Sequence, residues 1–124
     1  MLVLGTVVGQ SKSNQKSSKM SGIAEEYTFE LSDKVSRQSV TFTNRYGIAL
    51  AGDLYVPKAS ESKKLPALAI SGPFGAVKEQ ASGLYANQMA ERGFVVLAFD
   101  PSYTGESGGG PRHVASPDIN TEDF

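Results

Sequence analysis

The sequence predicts an α/β fold that consists of an antiparallel hairpin followed by one strand–helix–strand (βαβ) unit, in a mostly parallel sheet. Two observations predict it. Residues 35–57 contain two strand-like runs on either side of a short turn-like segment, which is typical of a hairpin. Residues 65–100 contain two short apolar runs separated by a helix-like segment, which is typical of parallel strands joined by a right-handed crossover.

The hairpin prediction rests on alternation and turn chemistry. In the run VSRQSVTFTN, Val40 and Phe42 share one face and threonines occupy the other. The second run, GIALAGDLYVP, is rich in strand-forming residues and ends at Pro57. Gly47 lies in the NRYG segment between the runs and favours a turn there. Gly52 interrupts the second run and predicts a bulge.

The crossover prediction rests on two apolar runs, LPALAISG and FVVLAFD, that are too short for helices and read as strands buried on both faces. Between them, KEQASGLYANQMAERG has apolar residues at i, i+4 and i+8 (Ala81, Tyr85 and Met89), which predicts a helix. Glu79 is expected in its first turn, where it suits the helix dipole. Gly93 is expected just beyond its last turn.

Composition excludes several classes of site. The 124 residues carry a net charge of −1 and form no basic stripe, so we expect no nucleic-acid partner. The absence of cysteine excludes disulfides and thiolate catalysis, and a single histidine argues against a histidine-rich metal centre. We therefore predict no metal and no cofactor. The oligomeric state is left open.

Residues 1–34 are expected to be a tail and linker, with the domain proper spanning residues 35–124. The opening MLVLGTVVGQ is too short to cross a bilayer. It fits either the remainder of an export signal or a flexible tail, because no positive segment precedes the apolar run. The compartment, cytoplasmic or exported, is left open.

The loop after the second apolar run spells G-x-S-x-G, with Ser107 at its centre. This is the pattern of a hydrolase nucleophile elbow, which needs a strand directly before the serine and a helix directly after it. Ser107 lies seven residues beyond Asp100, and GGGPR follows it, which cannot begin a helix. We therefore predict a loop whose glycines adopt positive φ and whose serine hydroxyl binds nearby backbone.

Two other polar residues, His113 and Asp100, lie in or next to this loop. His113 is either a pocket residue or an exposed, inert side chain; a lone histidine in a loop rich in glycine and proline is more often the latter. Asp100 ends a strand, and we expect it to hold the loop by accepting backbone N–H bonds rather than to act as a catalytic acid.

With these elements in place, the chain resembles the N-terminal part of an α/β-hydrolase, in the dienelactone-hydrolase and acyl-esterase branch, over residues 35 to about 123. SGPFGAVKEQ matches the turn after the third strand, and FDPSYTGESGGGPR matches the loop after the fourth. Gly72 departs from the histidine common in that branch, and Thr104 precedes Gly105 where a glycine two residues earlier is usual. The resemblance implies that nucleophile, acid and histidine lie outside this chain, which alone is expected to be inactive.

The resemblance also implies a site. In this fold one oxyanion-hole N–H comes from the loop after the third strand. Pro73 has no N–H, so Phe74 is the expected donor, with Gly75 as its neighbour. From spacing alone, a plain turn with Phe74 packed as a lid is equally open. Lys78 and Glu79 are expected to be solvated surface rather than an ion pair at the pocket mouth.

The function predicted from the sequence is that of an N-terminal segment of an enzyme that hydrolyses a small-molecule ester, thioester or dienelactone. The alternative is a non-catalytic fragment or small binding module. A nucleotide-binding βαβ unit is disfavoured because GPFGAVKEQ lacks both G-x-G-x-x-G and the P-loop pattern. In the family's sheet order LPALAISG adjoins FVVLAFD on one side, and the resemblance implies that its other edge is open in this chain.

Overall fold

The computed structural model describes residues 27–60 and 64–124, and four strands in it form one sheet. The predicted apolar leader and most of the predicted linker lie outside the described residues. The sheet order is β1-β2-β4-β3. The elements, in chain order, are β1 (Val35–Thr43), β2 (Ala49–Pro57), β3 (Ala67–Ser71), α1 (Ala81–Glu91), β4 (Val95–Phe99) and α2 (Pro117–Thr121).

The predicted hairpin is confirmed. β1 and β2 are antiparallel, and Gly47 has φ +78° in the turn between them. The register between the strands is unbroken, with Val40 opposite Gly52, so the bulge predicted at Gly52 is wrong. Gly52 instead permits close packing, because a Cβ there would lie 2.9 Å from Leu97 Cδ1 on the neighbouring β4.

The predicted βαβ unit is also confirmed, since β3 and β4 are parallel and joined through α1. β4 pairs on its other side with β2, antiparallel, so among the four described strands β3 and β4 form the one parallel pair, and the sheet is mixed rather than mostly parallel. Within the described chain β3 pairs with β4 alone and forms the sheet edge. Its residues are exposed or half-buried rather than buried on both faces as predicted, because α1 lies mainly over β4 and β2.

The helix begins three residues after the start of the predicted segment KEQASGLYANQMAERG and ends two residues before its end. Gln80 is the N-cap residue and Ala81 the first residue of α1, so Glu79 precedes the helix and the prediction that it lies in the first turn is wrong. At the other end Arg92 is the C-cap residue, and Gly93 follows with φ +98°. That conformation costs glycine little, as the sequence predicted.

α1 packs mainly through small residues, and of the apolar stripe that predicted it Met89 packs against the core cluster. Tyr85, in that stripe, is 56% exposed. A Cβ at Gly83 would lie 2.2 Å from the Lys78 carbonyl oxygen and 2.9 Å from the ring of Phe29. The small side chains on its inner face allow the helix to lie close to its neighbours. The buried residues of α1 are Ser82, Gly83, Ala86, Asn87 and Ala90.

Residues 27–34, assigned to the linker from sequence, contact the sheet and α1. Phe29 packs against the core cluster, which includes Tyr55 of β2. The Thr28 N–H donates to the Glu79 carbonyl at 3.1 Å, and the Asn87 side-chain amide donates to the Glu30 carbonyl at 3.1 Å. The segment from residue 27 onward therefore packs against the rest of the described fold. The division of the chain into domains stays a prediction.

None of the helices described in residues 27–60 and 64–124 has the length and apolar character needed to cross a membrane.

Candidate active site

A pocket of about 260 Å³ opens beyond the carboxyl ends of β3 and β4. Parallel strands end at the same edge of a sheet, so the loops that follow them meet there, and this is the usual place for a ligand in open α/β folds. One wall comes from the loop after β3 and includes Phe74 and Gly75. The other wall comes from the chain after β4 and includes Thr104, Asn120 and Phe124.

The loop after β3 brings both predicted oxyanion-hole residues to the pocket. The Ala76 N–H donates to the Pro73 carbonyl at 3.0 Å, which closes a turn, and Gly75 has φ +82° within it. Neither the Phe74 N–H nor the Gly75 N–H donates a hydrogen bond to any residue in the described part of the chain. The Phe74 side chain is 72% exposed.

Ser107 has the structural role predicted from sequence. It is 1% exposed. Its hydroxyl donates to the Asp100 carbonyl at 2.6 Å and accepts the Ala51 N–H at 2.9 Å. Gly105 and Gly109, on either side of it in the motif, both have positive φ. The serine therefore ties the loop after β4 to β2, and it does not line the pocket.

Asp100 organises the same loop, as predicted. Its fully buried carboxylate accepts the Lys78 N–H at 2.7 Å and the Glu106 N–H at 3.0 Å. A Cβ at Gly105 would lie 2.2 Å from Asp100 Oδ2, so the loop can close over the carboxylate only because glycine stands there. Asp100 thus joins the loop after β4 to the segment before α1.

The prediction that Lys78 and Glu79 are solvated surface is wrong. Lys78 is 2% exposed, and its ammonium lies among three carboxylates. Glu106 is 2.6 Å from Nζ, Asp100 is 3.4 Å away, and Glu79 pairs with Nζ directly. We call these four residues the Lys78 cluster. Sequence reasoning missed it because Asp100 and Glu106 are 22 and 28 residues from Lys78.

Electrostatic attraction keeps the Lys78 ammonium, which lies at the centre of the cluster, ionised. Burial opposes the charged amine, but the carboxylates of Glu106, Glu79 and Asp100 outweigh burial and raise the pKa of Lys78 far above its usual value. The three carboxylates are close enough together to hold a cation, with ligand oxygens within 4.8 Å of one another. The cation among them is the Lys78 ammonium.

His113 matches the exposed alternative rather than the pocket one. Its side chain is exposed and does not line the pocket, and its backbone has φ +58° with the N–H donating to the Tyr103 carbonyl at 2.9 Å. The neighbouring Arg112, which sequence reasoning missed, donates to the carbonyls of Ser107 and Gly105. It braces the motif loop from outside.

A second buried network, also missed from sequence, holds the far wall of the pocket. Asp123 is 4% exposed and accepts the Ser102 N–H at 2.8 Å and the Ser102 hydroxyl at 2.7 Å. It also accepts side-chain amides of Asn44 and Asn120 at 2.9 and 3.1 Å. This network anchors the chain around α2, and the Phe124 ring packs edge-on against Phe99 of β4 at 4.9 Å.

With this geometry established, comparison with known proteins decides the family. The model of the X-Pro dipeptidyl-peptidase (S15) family matches residues 46–121, from the hairpin turn to the end of α2. The chain belongs to the S15 family. The match includes the loop of Phe74 and Gly75 and all four residues of the Lys78 cluster.

This S15-family chain matches only part of the length of longer relatives. Protein PA2218 of Pseudomonas aeruginosa is 74% identical over 97 residues, which are 78% of this chain and 26% of PA2218. The crystal structure of PA2218 aligns with a TM-score of 0.78 at 70% identity, covering 83% of this chain and 32% of that one. The chain thus spans between a quarter and a third of PA2218.

Two fungal relatives support the predicted fold. GrgF from Penicillium sp. sh18, an alpha/beta hydrolase, aligns with a TM-score of 0.63 at 31% identity, over 71% of this chain and 29% of its own. Thiohydrolase aneE of Aspergillus aculeatus is 38% identical over 85 residues, which are 68% of this chain and 26% of that protein. The α/β-hydrolase fold predicted from sequence is confirmed; its dienelactone-hydrolase branch stays a prediction.

Proposed function

We propose that this chain forms part of the active site of an S15-family α/β-hydrolase that cleaves an ester or thioester of a small molecule, with the Phe74 N–H as an oxyanion-hole donor and Gly75 beside it. The observation that carries the proposal is the pair of N–H groups on the pocket wall that have no acceptor in the described chain. Backbone donors left free at the end of β3 are suited to a charge that develops during reaction.

The proposed role is electrostatic. When a nucleophile adds to the acyl carbonyl carbon, the carbonyl π electrons move onto its oxygen, and N–H groups directed at that oxygen lower the barrier. The electron pair returns as the alcohol or thiol leaves with the former bonding pair and takes a proton. Pro73 has no N–H to offer, and Gly75 lets the turn place adjacent donors without a Cβ in the way.

The nucleophile and its base are proposed to come from outside the described residues. Ser107 is buried with its hydroxyl already bonded to two backbone groups, and His113 is exposed outside the pocket. A serine or cysteine from the part of the relatives that this chain does not span would complete the site. Thioesters are included in the proposal because one relative is named a thiohydrolase, and a pocket of about 260 Å³ suits a small acyl group.

The test uses a chimaera in which residues 27–124 of this chain replace the matching segment of P. aeruginosa PA2218. We expect it to hydrolyse p-nitrophenyl acetate or an acyl thioester. Phe74→Ala keeps the N–H and retains most of kcat, whereas Phe74→Pro removes it and lowers kcat by about 10²–10³-fold. Circular dichroism and thermal unfolding check that both variants are folded.

Gly-Pro-p-nitroanilide belongs in the same panel because the matching family is named for X-Pro dipeptidyl-peptidases. Turnover of this substrate alone would move the proposal from esters to peptides while keeping the oxyanion role. A folded chimaera that turns over nothing would support the non-catalytic binding module instead. A folded Phe74→Pro variant with parental kcat would refute the donor assignment.

A further inference from the structure

Lys78 follows Phe74 by four residues, so the Lys78 cluster lies directly behind the loop that carries Phe74 and Gly75. Lys78 contacts the loop after β4 through both its backbone and its side chain. Its N–H donates to Asp100 Oδ1 at 2.7 Å, and its ammonium contacts Asp100 Oδ2 at 3.4 Å and Glu106 Oε2 at 2.6 Å. One residue therefore fastens the donor wall of the pocket to the opposite wall.

We propose that Lys78 is a positioning residue, whose buried ammonium holds the Phe74–Gly75 loop in register with the loop after β4 by neutralising the carboxylates that both loops turn inward. This inference rests on the proposed function, and it adds to it the part of the chain that sets the donor geometry. Charge, rather than packing alone, is the essential property of the side chain.

The arrangement of charges explains why removal of the ammonium would separate the loops. The charged groups placed against Nζ are Glu79 on its own segment, Asp100 at the end of β4 and Glu106 in the following loop. Tyr55 of β2 lies near Glu79 but stays neutral, since burial chiefly raises its pKa to about 12. Without Lys78, the buried carboxylates of Glu79 and Asp100 would lose the ammonium that lies between them, and like charges repel strongly where water is excluded.

This repulsion gives the Lys78→Met variant a pH dependence that a simple packing defect would lack. Burial and mutual repulsion raise carboxyl pKa values. Lowering the pH favours the neutral form of a carboxyl group, which lets the loops approach, and raising the pH favours the carboxylate, which repels its neighbour. In the parent the ammonium stays charged over the whole working range because its pKa is raised, so its contribution is lost only in strong alkali.

The experiment compares the chimaera with its Lys78→Met variant from pH 5.5 to pH 8.5. The ratio of the two kcat values is used, because ionisation of the catalytic base affects both proteins and cancels. We expect kcat of the variant to be lower by about 10- to 100-fold at pH 8, the loss typical of reacting groups displaced by an ångström. The ratio should recover as the pH falls to 5.5, with KM changed much less than kcat.

Two further variants separate charge from shape. Glu79→Gln added to Lys78→Met removes one of the buried carboxylates and should flatten the pH dependence of the ratio. Lys64→Met, at an exposed lysine before β3, should leave kcat and its pH profile at parental values. A Lys78→Met variant with a constant kcat ratio across the pH range would overturn the proposal.

The remaining outcomes are also decisive. If Lys78→Met does not fold, Glu106→Gln, which weakens the half-exposed partner, should still lower kcat several-fold without changing KM; parental kcat there would overturn the proposal. Amide hydrogen exchange of residues 72–80, measured relative to the parent, should rise in Lys78→Met at pH 8 and not at pH 5.5. An inactive parent chimaera would refute the proposed function, while this exchange readout would still test Lys78.

Discussion

Ser107→Ala separates the two meanings of the G-x-S-x-G pattern, because it removes a hydroxyl that either reacts or braces a loop. In the structure the hydroxyl has two buried partners, the Asp100 carbonyl at 2.6 Å and the Ala51 N–H at 2.9 Å. Alanine leaves both unpaired. At about 1–3 kcal/mol for each buried polar group left without a partner, the free energy of unfolding should fall by about 2–6 kcal/mol.

The assay is urea unfolding of the chimaera followed by circular dichroism, together with ester hydrolysis. The midpoint should fall by roughly 1 M or more, given the usual dependence of unfolding free energy on urea. The matched control is Ser116→Ala, since Ser116 caps α2 without a side-chain hydrogen bond, and its midpoint should hardly move. Turnover per folded molecule should stay within a few-fold of the parent; loss of all turnover in a Ser107→Ala variant of parental stability would refute the reasoning.

Two further predictions concern packing. Gly83→Ala should destabilise the chimaera by about 1–2 kcal/mol, because the new Cβ meets the Lys78 carbonyl and overpacking of about 1–3 kcal/mol exceeds the gain of about 1 kcal/mol in helix propensity; Gln88→Ala on the exposed face is the control, and an equal effect of both would contradict the packing argument. The isolated 124-residue chain should self-associate through the open edge of β3, since unpaired strand edges template pairing; a monomer on size-exclusion chromatography with strongly protected amides in residues 67–71 would contradict it.

The features that the sequence predicted well are those that depend on residues close together in the chain. Alternation and short apolar runs located the four strands, and Gly47 and Gly93 marked a turn and a helix end by their conformational freedom. The role of the loop after β3 at the pocket was expected only because the chain resembles α/β-hydrolases, whereas the strands, the turn and the helix end follow from the residues themselves. These predictions depend on patterns within about ten residues, where backbone preference and burial act directly on neighbouring positions.

What the sequence did not predict depends on contacts between distant segments. The apolar stripe with Tyr85 predicted α1 but not its inner face, because the space beneath the helix selects residues by size, and Gly83 fits where a methyl would not. Lys78 and Glu79 look like any charged pair before a helix. Only the fold brings Asp100 and Glu106 beside them and makes their burial tolerable.

Each residue of the G-x-S-x-G pattern has a structural cause here that is unrelated to nucleophilicity. Gly105 is required because the Asp100 carboxylate occupies the space of a Cβ, and Gly109 because the Tyr103 ring would lie 2.6 Å from one. Ser107 joins the end of β4 to β2 through two backbone partners.

A nucleophile elbow needs its glycines so that a strained turn can expose the serine; this loop needs them so that the chain can close over a buried aspartate and hide the serine. The same sequence pattern can therefore present an exposed, reactive serine hydroxyl or enclose a buried, structural one. The burial of the serine distinguishes the two cases. The carboxylate enclosed by this loop is also the one that binds Lys78, so the motif supports the pocket from behind while the proposed chemistry uses the N–H groups of the loop after β3.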